Sequence, residues 1–187
     1  MLQSGVRTVL FLLAAATSWR TEAESAARKL ASIQHGSLHR GAVVHFSTRE
    51  LNAYAQSQIP EYAPEGVRAA RLETGAGTAT ASALIDFLKL RHSAGIETNW
   101  LVARLIEGER PVRVTAHIRS ANGTATVFMD RVEISGISVS GAPLDTLIQT
   151  FFSPVFPEAK INQPFRLRHG LDHVNVTPAG LQVYARR

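Results

Sequence analysis

Residues 112–129, VRVTAHIRSANGTATVFM, decide the fold of this chain because they predict a β-hairpin. Apolar residues alternate with polar ones up to Asn122-Gly123 and alternate again after it, which is typical of two antiparallel strands that each bury one face. An Asn-Gly pair favours a two-residue turn, since both turn residues need a positive φ. The second strand is expected to continue to Gly136, with a bend or bulge near Asp130 and Arg131.

Further strand-like segments lie on both sides of this hairpin. Gly75-Ala76-Gly77 separates strand-like runs at 67–73 and 78–87. The second run carries alanines at 79, 81 and 83 on one face, where small side chains leave room for another element. The C-terminal segment alternates through 165–167, turns near 169–172 and returns through 174–183, so we expect a closing β-meander.

Helical patterns are fewer and shorter. Ser47 and Glu50 have the spacing of a capping box, which predicts a helix over 48–58 that proline then ends. A second helix is predicted over 100–107. A third begins at Pro143, with apolar residues at i, i+3, i+4, i+7 and i+8 from Leu144 onward. The sequence therefore predicts one α+β domain over residues 42–187, with an extended antiparallel β-sheet on two or three amphipathic helices.

The first 25 residues have the pattern of an export signal, with Arg7 before an apolar run at 9–16. This run is too short to cross a bilayer, so we expect cleavage, with an uncleaved anchoring or amphipathic N-terminus as the alternative. Small-x-small triplets end at Ala16 and Ala23, so the new N-terminus is expected anywhere from position 17 to 26. We expect residues 26–41 to form a flexible lead-in and the mature protein to be periplasmic or extracellular.

Composition narrows the class of protein. The chain has no cysteine, so its stability depends on apolar burial, and it cannot carry the lipid-modified cysteine of a bacterial lipoprotein. Its formal charge is +5 at pH 7, but the arginines are dispersed. The sequence lacks the basic cluster with interleaved aromatic residues that would predict nucleic-acid binding. A diffuse positive field would attract a partner such as anionic lipid headgroups or an acidic envelope polymer. The alternative is that these arginines simply lie on solvated faces of strands and helices.

The residue patterns predict no catalytic, cofactor or metal site. The nearest approach to the serine-hydrolase elbow lies at 136–141, where the final glycine comes one residue late. His169 and His173 have a spacing that would suit a metal on a helix, but Gly170 lies between them in a strand-rich segment. The chain contains neither a glycine-rich phosphate loop nor a dinucleotide fingerprint. We therefore expect a protein that is not an enzyme.

An apolar groove is the functional feature that the sequence favours. The aromatic stripe that begins at Leu144 and the small-residue strand at 79–83 would together leave space for an acyl chain, although a closed core explains the same residues. Arginines at the rim would meet anionic headgroups or a partner. The candidate groove residues are Tyr54, Trp100, Leu105, Leu147, Phe151, Phe152, Phe156 and Phe165, and the candidate headgroup or partner contacts are Arg113, Arg119 and Arg131.

The order of elements over roughly residues 43–185 resembles exported bacterial proteins of the LmeA-like and YceB-like kind, which look like half-size relatives of tubular lipid-binding domains. Glu50-Leu51-Asn52 in the first helix, Gly108 to Val112 entering a strand, and Ile134 to Ile137 before a Leu-Ile helix carry the resemblance. It implies a highly curved antiparallel sheet around a helix. The implied activity is binding of phospholipid or another envelope amphiphile, without catalysis. The chain departs from the YceB-like pattern because it lacks the lipidation cysteine.

Two functions from different classes follow from these patterns. The first is an exported lipid-binding or amphiphile-binding protein of the bacterial envelope, with peripheral membrane contact. The alternative is an envelope scaffold or protein-interaction module with a closed core, which recognises a protein partner through a strand edge or through the three arginines above. A hydrolase with dispersed catalytic residues is a third reading, and no residue in the sequence is singled out for it.

Overall fold

The computed structural model describes residues 3–62, 66–93, 107–149, 153 and 161–187. Its helices are α1 (Gln3–Gln34), α2 (Thr48–Tyr62), α3 (Phe87–Ser93) and α4 (Ala142–Leu147). Its strands are β1 (Val43–Ser47), β2 (Val67–Thr74), β3 (Thr78–Asp86), β4 (Glu109–Ala121), β5 (Thr124–Ile134), β6 (Ile137–Val139), β7 (Pro164–Arg166), β8 (Leu171–Thr177) and β9 (Gly180–Ala185). These strands pair antiparallel, which confirms the predicted α+β class. The predicted helix at 100–107 lies almost wholly outside the described residues.

The strands form two sheets rather than one extended sheet. The larger has six strands in the order β2-β3-β4-β5-β6, with β7 also on β5, and the smaller has the order β1-β9-β8. The expected C-terminal meander is therefore divided, because β7 pairs with β5 while β8 and β9 form a hairpin that joins β1. The Ser120 hydroxyl connects the sheets: it donates to the Val174 carbonyl at 2.7 Å and accepts from the Val174 amide at 2.8 Å.

The β4–β5 hairpin has the geometry that its sequence predicts. Asn122 and Gly123 take φ values of 52° and 75°, which is the pair of positive angles that a two-residue hairpin turn requires. The expected bulge also lies in place: Thr115 pairs with Arg131 and Ala116 with Met129, which leaves Asp130 as the extra residue. The hairpin therefore keeps its apolar residues on one face along its whole length.

The two faces of the six-stranded sheet differ in character. On one face, Val112 and Val132 are buried in a core cluster with Leu144 and Ile148, so α4 packs there. The opposite face is polar and carries ion pairs, including Arg113 Nη2 to Glu73 Oε2 at 3.1 Å. The apolar face is consequently the one on which helices and any apolar ligand can lie.

Helix α1 extends through much of the segment for which a flexible lead-in was expected, 26–41. Residues 26–34 are helical, and Ala26 and Ile33 are only 0% and 8% exposed within a cluster that includes Phe46 and Val183. Ala26, Leu30 and Ile33 follow i, i+4, i+7 spacing, so one stripe of the helix faces the three-stranded sheet. No helix in the described part of the chain is long and apolar enough to span a membrane.

The capping box at the start of α2 is confirmed. The Glu50 amide donates to Ser47 Oγ at 3.1 Å, and the Ser47 amide donates to Glu50 Oε2 at 2.8 Å. The end of the helix differs from the expectation, since α2 includes Pro60 and runs to Tyr62. Proline removes a backbone donor, but in the last turn of a helix this costs only one of the hydrogen bonds near its end.

Candidate functional site

An apolar cavity of about 380 Å³ lies between α2 and the apolar face of the six-stranded sheet. Strands β3 and β4 form its floor, α2 forms one wall, and β2 forms the side. The cavity is almost entirely apolar, and its larger apolar lining residues are Ile59, Val67, Leu72, Ile85, Val112 and Val114.

Small side chains on β3 account for the space. Ala81 lies opposite Val114 and Ala83 lies opposite Val112, so two alanines occupy adjacent positions on the floor. These belong to the strand in which the sequence indicated spare room. A larger residue at either position would extend into the cavity, because alternate residues of a strand point to the same face.

A β-bulge in β2 shapes the side of the cavity. The register of β2 against β3 shifts between Arg68 and Arg71, and Ala69 within this interval has a φ of 51°. The extra residue reverses the alternation of side chains. Val67 and Leu72, five positions apart, can therefore both line the cavity.

The side chain of Asn52 fixes α2 to β2, the first strand in the order of the described sheet. Its Nδ2 donates to the Leu72 carbonyl at 2.7 Å, and the Leu72 amide donates to its Oδ1 at 2.7 Å. Nδ2 also donates to the Thr48 carbonyl at 2.8 Å. Asn52 thus pairs with β2 as a neighbouring strand would, and it holds the wall of the cavity at a set distance from the floor.

A second, wider groove lies on the other side of this contact. It measures about 850 Å³ and is lined by residues from α1, α2 and β2, among them Trp19, Arg49 and Glu73. Asn52 and Leu72 line both the groove and the apolar cavity. Their hydrogen-bonded pair therefore lies between a wide, more open groove of mixed polarity and an apolar cavity that is more enclosed.

Glu50 lies in the junction of α1 with α2, and its pKa is strongly lowered. Its Oε1 accepts hydrogen bonds from Ser25 Oγ and Lys29 Nζ, both at 2.6 Å, and its Oε2 accepts from the Ser47 amide. Burial alone would raise the pKa of this carboxyl, but the hydrogen bonds from Lys29, Ser25 and Ser47 outweigh burial and lower the pKa to about 2. Glu50 is therefore a structural anion.

The candidate groove residues are not those that line the cavity. Tyr54 packs against the core between the N-terminal helices and the three-stranded sheet, and Phe165 lies in β7 opposite Ala125. Neither residue lines the cavity. The backbone of Leu147 ends α4. The side chain of Leu147 and the residues Trp100, Leu105, Phe151, Phe152 and Phe156 lie outside what the structure describes.

The candidate arginines lie on the polar face of the sheet, and none of the three lines the cavity. Arg113 pairs with Glu73, and Arg131 Nη1 lies 3.7 Å from Glu133 Oε1. The Arg119 guanidinium carbon lies 5.3 Å from the centroid of the Phe128 ring. These side chains alternate with the apolar residues of β4 and β5 that face α4 and the cavity. Their contact with headgroups or with a partner stays a prediction.

The sequence contains a signal for the wall that α2 gives this cavity. Ala55 and Ile59 have helical spacing on α2, and both line the cavity with the alanines of β3. The predicted groove instead followed the larger aromatic stripe after Leu144, most of which lies outside the described residues. A small residue facing another small residue is a better sign of space than a run of large ones, since large side chains fill a core.

The two histidines with metal-like spacing lie in β8 and in the turn before it. His173 Nδ1 lies 2.7 Å from Asp172 Oδ2, and the His173 ring stacks on Tyr184 with centroids 4.1 Å apart. His169 takes a φ of 56° at the turn before β8. Within the described ranges, no three side chains of His, Asp or Glu come together in a way that could hold a metal ion.

Compared with protein-family models, with curated proteins and with solved structures, the chain matches none. The resemblance to LmeA-like and YceB-like proteins therefore stays a prediction from element order. The cavity, its lining and its hydrogen-bonded wall carry the functional interpretation.

Proposed function

We propose that this protein binds the apolar chain of an envelope lipid or other amphiphile in the cavity between α2 and the six-stranded sheet, without catalysis. One observation carries the proposal: a cavity of about 380 Å³ with an almost entirely apolar lining. Ligand pockets in proteins have volumes of about 300–1,000 Å³, so this one has the size for a single apolar chain. Apolar walls offer water no hydrogen bonds, which favours an apolar occupant.

The wall of the cavity is held in place from two directions, which supports a preformed site. Asn52 joins the middle of α2 to Leu72, and the capping box with Glu50 fixes its first turn. The pair with Leu72 fixes the distance of α2 from β2, and the capping box fixes the backbone where the helix begins. A preformed cavity reduces the ordering cost of binding, because the walls do not have to reorganise around the ligand.

An envelope location belongs to the same proposal. Its support is the export-signal pattern of the first 25 residues and the resemblance to exported lipid-binding proteins. In this reading the protein acts in the periplasm or outside the cell, takes phospholipid or a related amphiphile as its partner, and makes peripheral contact with a membrane.

Mass spectrometry of the protein from an exporting host tests the proposal. Native spectra should show a bound lipid, and denaturing spectra should release it. Ala83→Phe fills the floor of the cavity and should abolish the bound species, while Thr80→Phe adds the same ring to the opposite face of β3 and should keep it. Circular dichroism checks that both variants fold. A wild-type protein that carries no lipid and takes up no fluorescent fatty acid would contradict the proposal.

A second candidate function, an envelope interaction module, is favoured by one edge of the larger sheet. Strand β6 pairs with β5, and Ile137 on β6 is 71% exposed. An exposed β-branched residue on a terminal strand suits addition of a strand from a partner protein. Cross-linking in cells with the wild-type chain and with Ile137→Lys tests this candidate: a partner captured by the wild type should be lost in the variant.

A further inference from the structure

The fold gathers five exposed arginines that are dispersed in the sequence. They come from the loop before β1, from β7 and the loop that follows it, and from the residues after β9. We call this set the arginine patch, and it consists of Arg40, Arg166, Arg168, Arg186 and Arg187. None of the five belongs to the polar face of the six-stranded sheet that carries the candidate arginines of β4 and β5.

The turn between β4 and β5 holds two of these segments together. The Leu167 amide donates to the Gly123 carbonyl at 2.8 Å, so the segment after β7 lies against the turn. Arg166 and Arg168, the chain neighbours of Leu167, therefore lie beside it. The Arg186 guanidinium also lies against Gly123, since a Cβ at this glycine would collide with it.

The backbone of Arg186 ties the remaining segments to the same end of the molecule. Its amide donates to the Gly170 carbonyl at 2.8 Å, and its carbonyl accepts from the Gly41 amide at 2.9 Å. Arg40 precedes Gly41 in the chain, and the Arg187 side chain packs near this glycine. Main-chain hydrogen bonds thus bring all five arginines to the region of the β4–β5 turn.

The charge of the patch is not balanced within the fold. In the ranges that the structure describes, none of the five arginines forms an ion pair, whereas arginines on β2, β4 and β5 do. Asp172 lies beside the turn, since its carbonyl accepts from the Gly123 amide, but its carboxylate lies 2.7 Å from His173 Nδ1. Like charges repel, so the patch does not stabilise the fold and is suited to an anionic partner.

The position of the patch favours an extended anionic surface as that partner. None of the five arginines lines the apolar cavity or the wider groove, and they lie on turns and strand ends. A small anion needs donors that converge in a concave site, and single-stranded nucleic acid is bound with aromatic side chains on which bases stack. A membrane with anionic headgroups offers many phosphates at once, and guanidinium groups bind phosphate through two parallel hydrogen bonds.

We propose that the arginine patch docks the protein on a membrane that contains anionic phospholipids. The proposal rests on the envelope location in the proposed function, and it assigns the membrane contact to one end of the molecule. It does not depend on the cavity. The cavity contacts β4 at Val112 and Val114, and the turn with Gly123 lies about 25 Å farther along the hairpin.

Co-sedimentation with vesicles tests the proposal, with protein purified from an exporting host. Vesicles of phosphatidylethanolamine and phosphatidylglycerol should bind the wild type, and added salt should weaken this binding. An arginine near an anionic surface contributes about fivefold in affinity, so the pair Arg166→Gln and Arg168→Gln should lose about 25-fold. The pair Arg28→Gln and Arg49→Gln removes the same charge from exposed positions of α1 and α2 and should lose less than about threefold.

A second patch variant protects the test against a folding defect. Arg40→Gln with Arg187→Gln changes the other side of the patch and should show the same loss as the first pair. Circular dichroism checks that each variant folds. Native mass spectrometry should show the same bound lipid in every arginine variant, while Ala83→Phe should keep its vesicle binding, so the docking surface and the cavity can fail separately.

Four results would overturn the proposal. Equal losses in the patch and control pairs would show that net charge alone explains the binding. Equal binding of the wild type to vesicles of phosphatidylcholine would assign the contact to apolar surface. Binding to duplex DNA or polyglutamate without binding to anionic vesicles would assign the patch to a soluble polyanion. Loss of vesicle binding in Ala83→Phe would assign the membrane contact to the cavity.

Discussion

Replacing Glu50 by Gln should destabilise the protein by about 3 kcal/mol at pH 7. The pKa of Glu50 falls from 4.5 to about 2 in the folded protein, and each pKa unit corresponds to about 1.4 kcal/mol between the protonation states. Glutamine has the shape of the protonated acid, so it removes the charge and leaves Lys29 without its counter-ion. Because the carboxyl is largely buried, solvent screens this interaction little.

The sign of the pH dependence follows from the direction of the shift. A lowered folded-state pKa stabilises the protein above the unfolded-state value of 4.5, and this contribution is lost as the pH falls from 4.5 toward 2. The Gln variant should lack this part of the acid-induced loss. Glu73→Gln, which alters a half-exposed acid that pairs with Arg113, serves as the control and should cost at most about 1 kcal/mol.

Urea denaturation followed by circular dichroism measures both quantities. The wild type, Glu50→Gln and the control are unfolded at pH 7 and at steps down to pH 2, and the free energies of unfolding are compared. Equal stability of wild type and Glu50→Gln at pH 7 would refute the reasoning, as would an identical acid-induced loss in both proteins.

Three further substitutions probe other parts of the structure. In Gly180→Ala the new Cβ would collide with the Phe46 carbonyl oxygen, so we expect a loss of about 4 kcal/mol or more, and thermal melting within a few degrees of the wild type would contradict this. Asn52→Leu removes both hydrogen bonds to Leu72, and we expect a loss of about 2 kcal/mol with faster hydrogen exchange of the Leu72 amide; unchanged exchange would show that the pair is not formed in solution. Val112→Ala enlarges the cavity, so it should cost about 2 kcal/mol in denaturant unfolding and admit a bulkier apolar ligand, and a variant with unchanged ligand preference would place the binding site elsewhere.

Features set by a few neighbouring residues could be predicted from the sequence. The turn at Asn122-Gly123, the bulge at Asp130 and the capping box of Ser47 with Glu50 all appear where the pattern places them. Each depends on local backbone geometry and on a side chain within a few positions, so no knowledge of the rest of the fold is needed.

Features set by distant pairing could not be predicted in the same way. The alternation of apolar and polar residues in β7 and β9 is compatible with a place in either sheet. It does not indicate that β7 pairs with β5 or that β9 pairs with β1. The packing of residues 26–34 of α1 on the three-stranded sheet was not predicted, for a different reason. Its stripe of Ala26, Leu30 and Ile33 is regular but narrow, and the polar residues between them resemble a solvated lead-in.

The space beside β3 could be predicted from the sequence, but the helix that covers it could not. The alanines of β3 indicated room against a sheet, and the structure has a cavity at Ala81 and Ala83. The sequence analysis assigned the wall of the groove to the helix at Leu144. In the structure this helix packs on the apolar face of the sheet at Val112. Only the three-dimensional arrangement shows that α2, fixed by Asn52, lies over the alanines.

Photo-cross-linking with a diazirine-labelled fatty acid tests the central claim most directly. The protein is irradiated with the labelled fatty acid, digested and sequenced by mass spectrometry, and Ala83→Phe is treated in parallel. We predict adducts on peptides that contain Ile59 and Leu72, and their loss in the variant. Adducts confined to other surfaces, or adducts on these peptides that persist in Ala83→Phe, would contradict binding in the cavity.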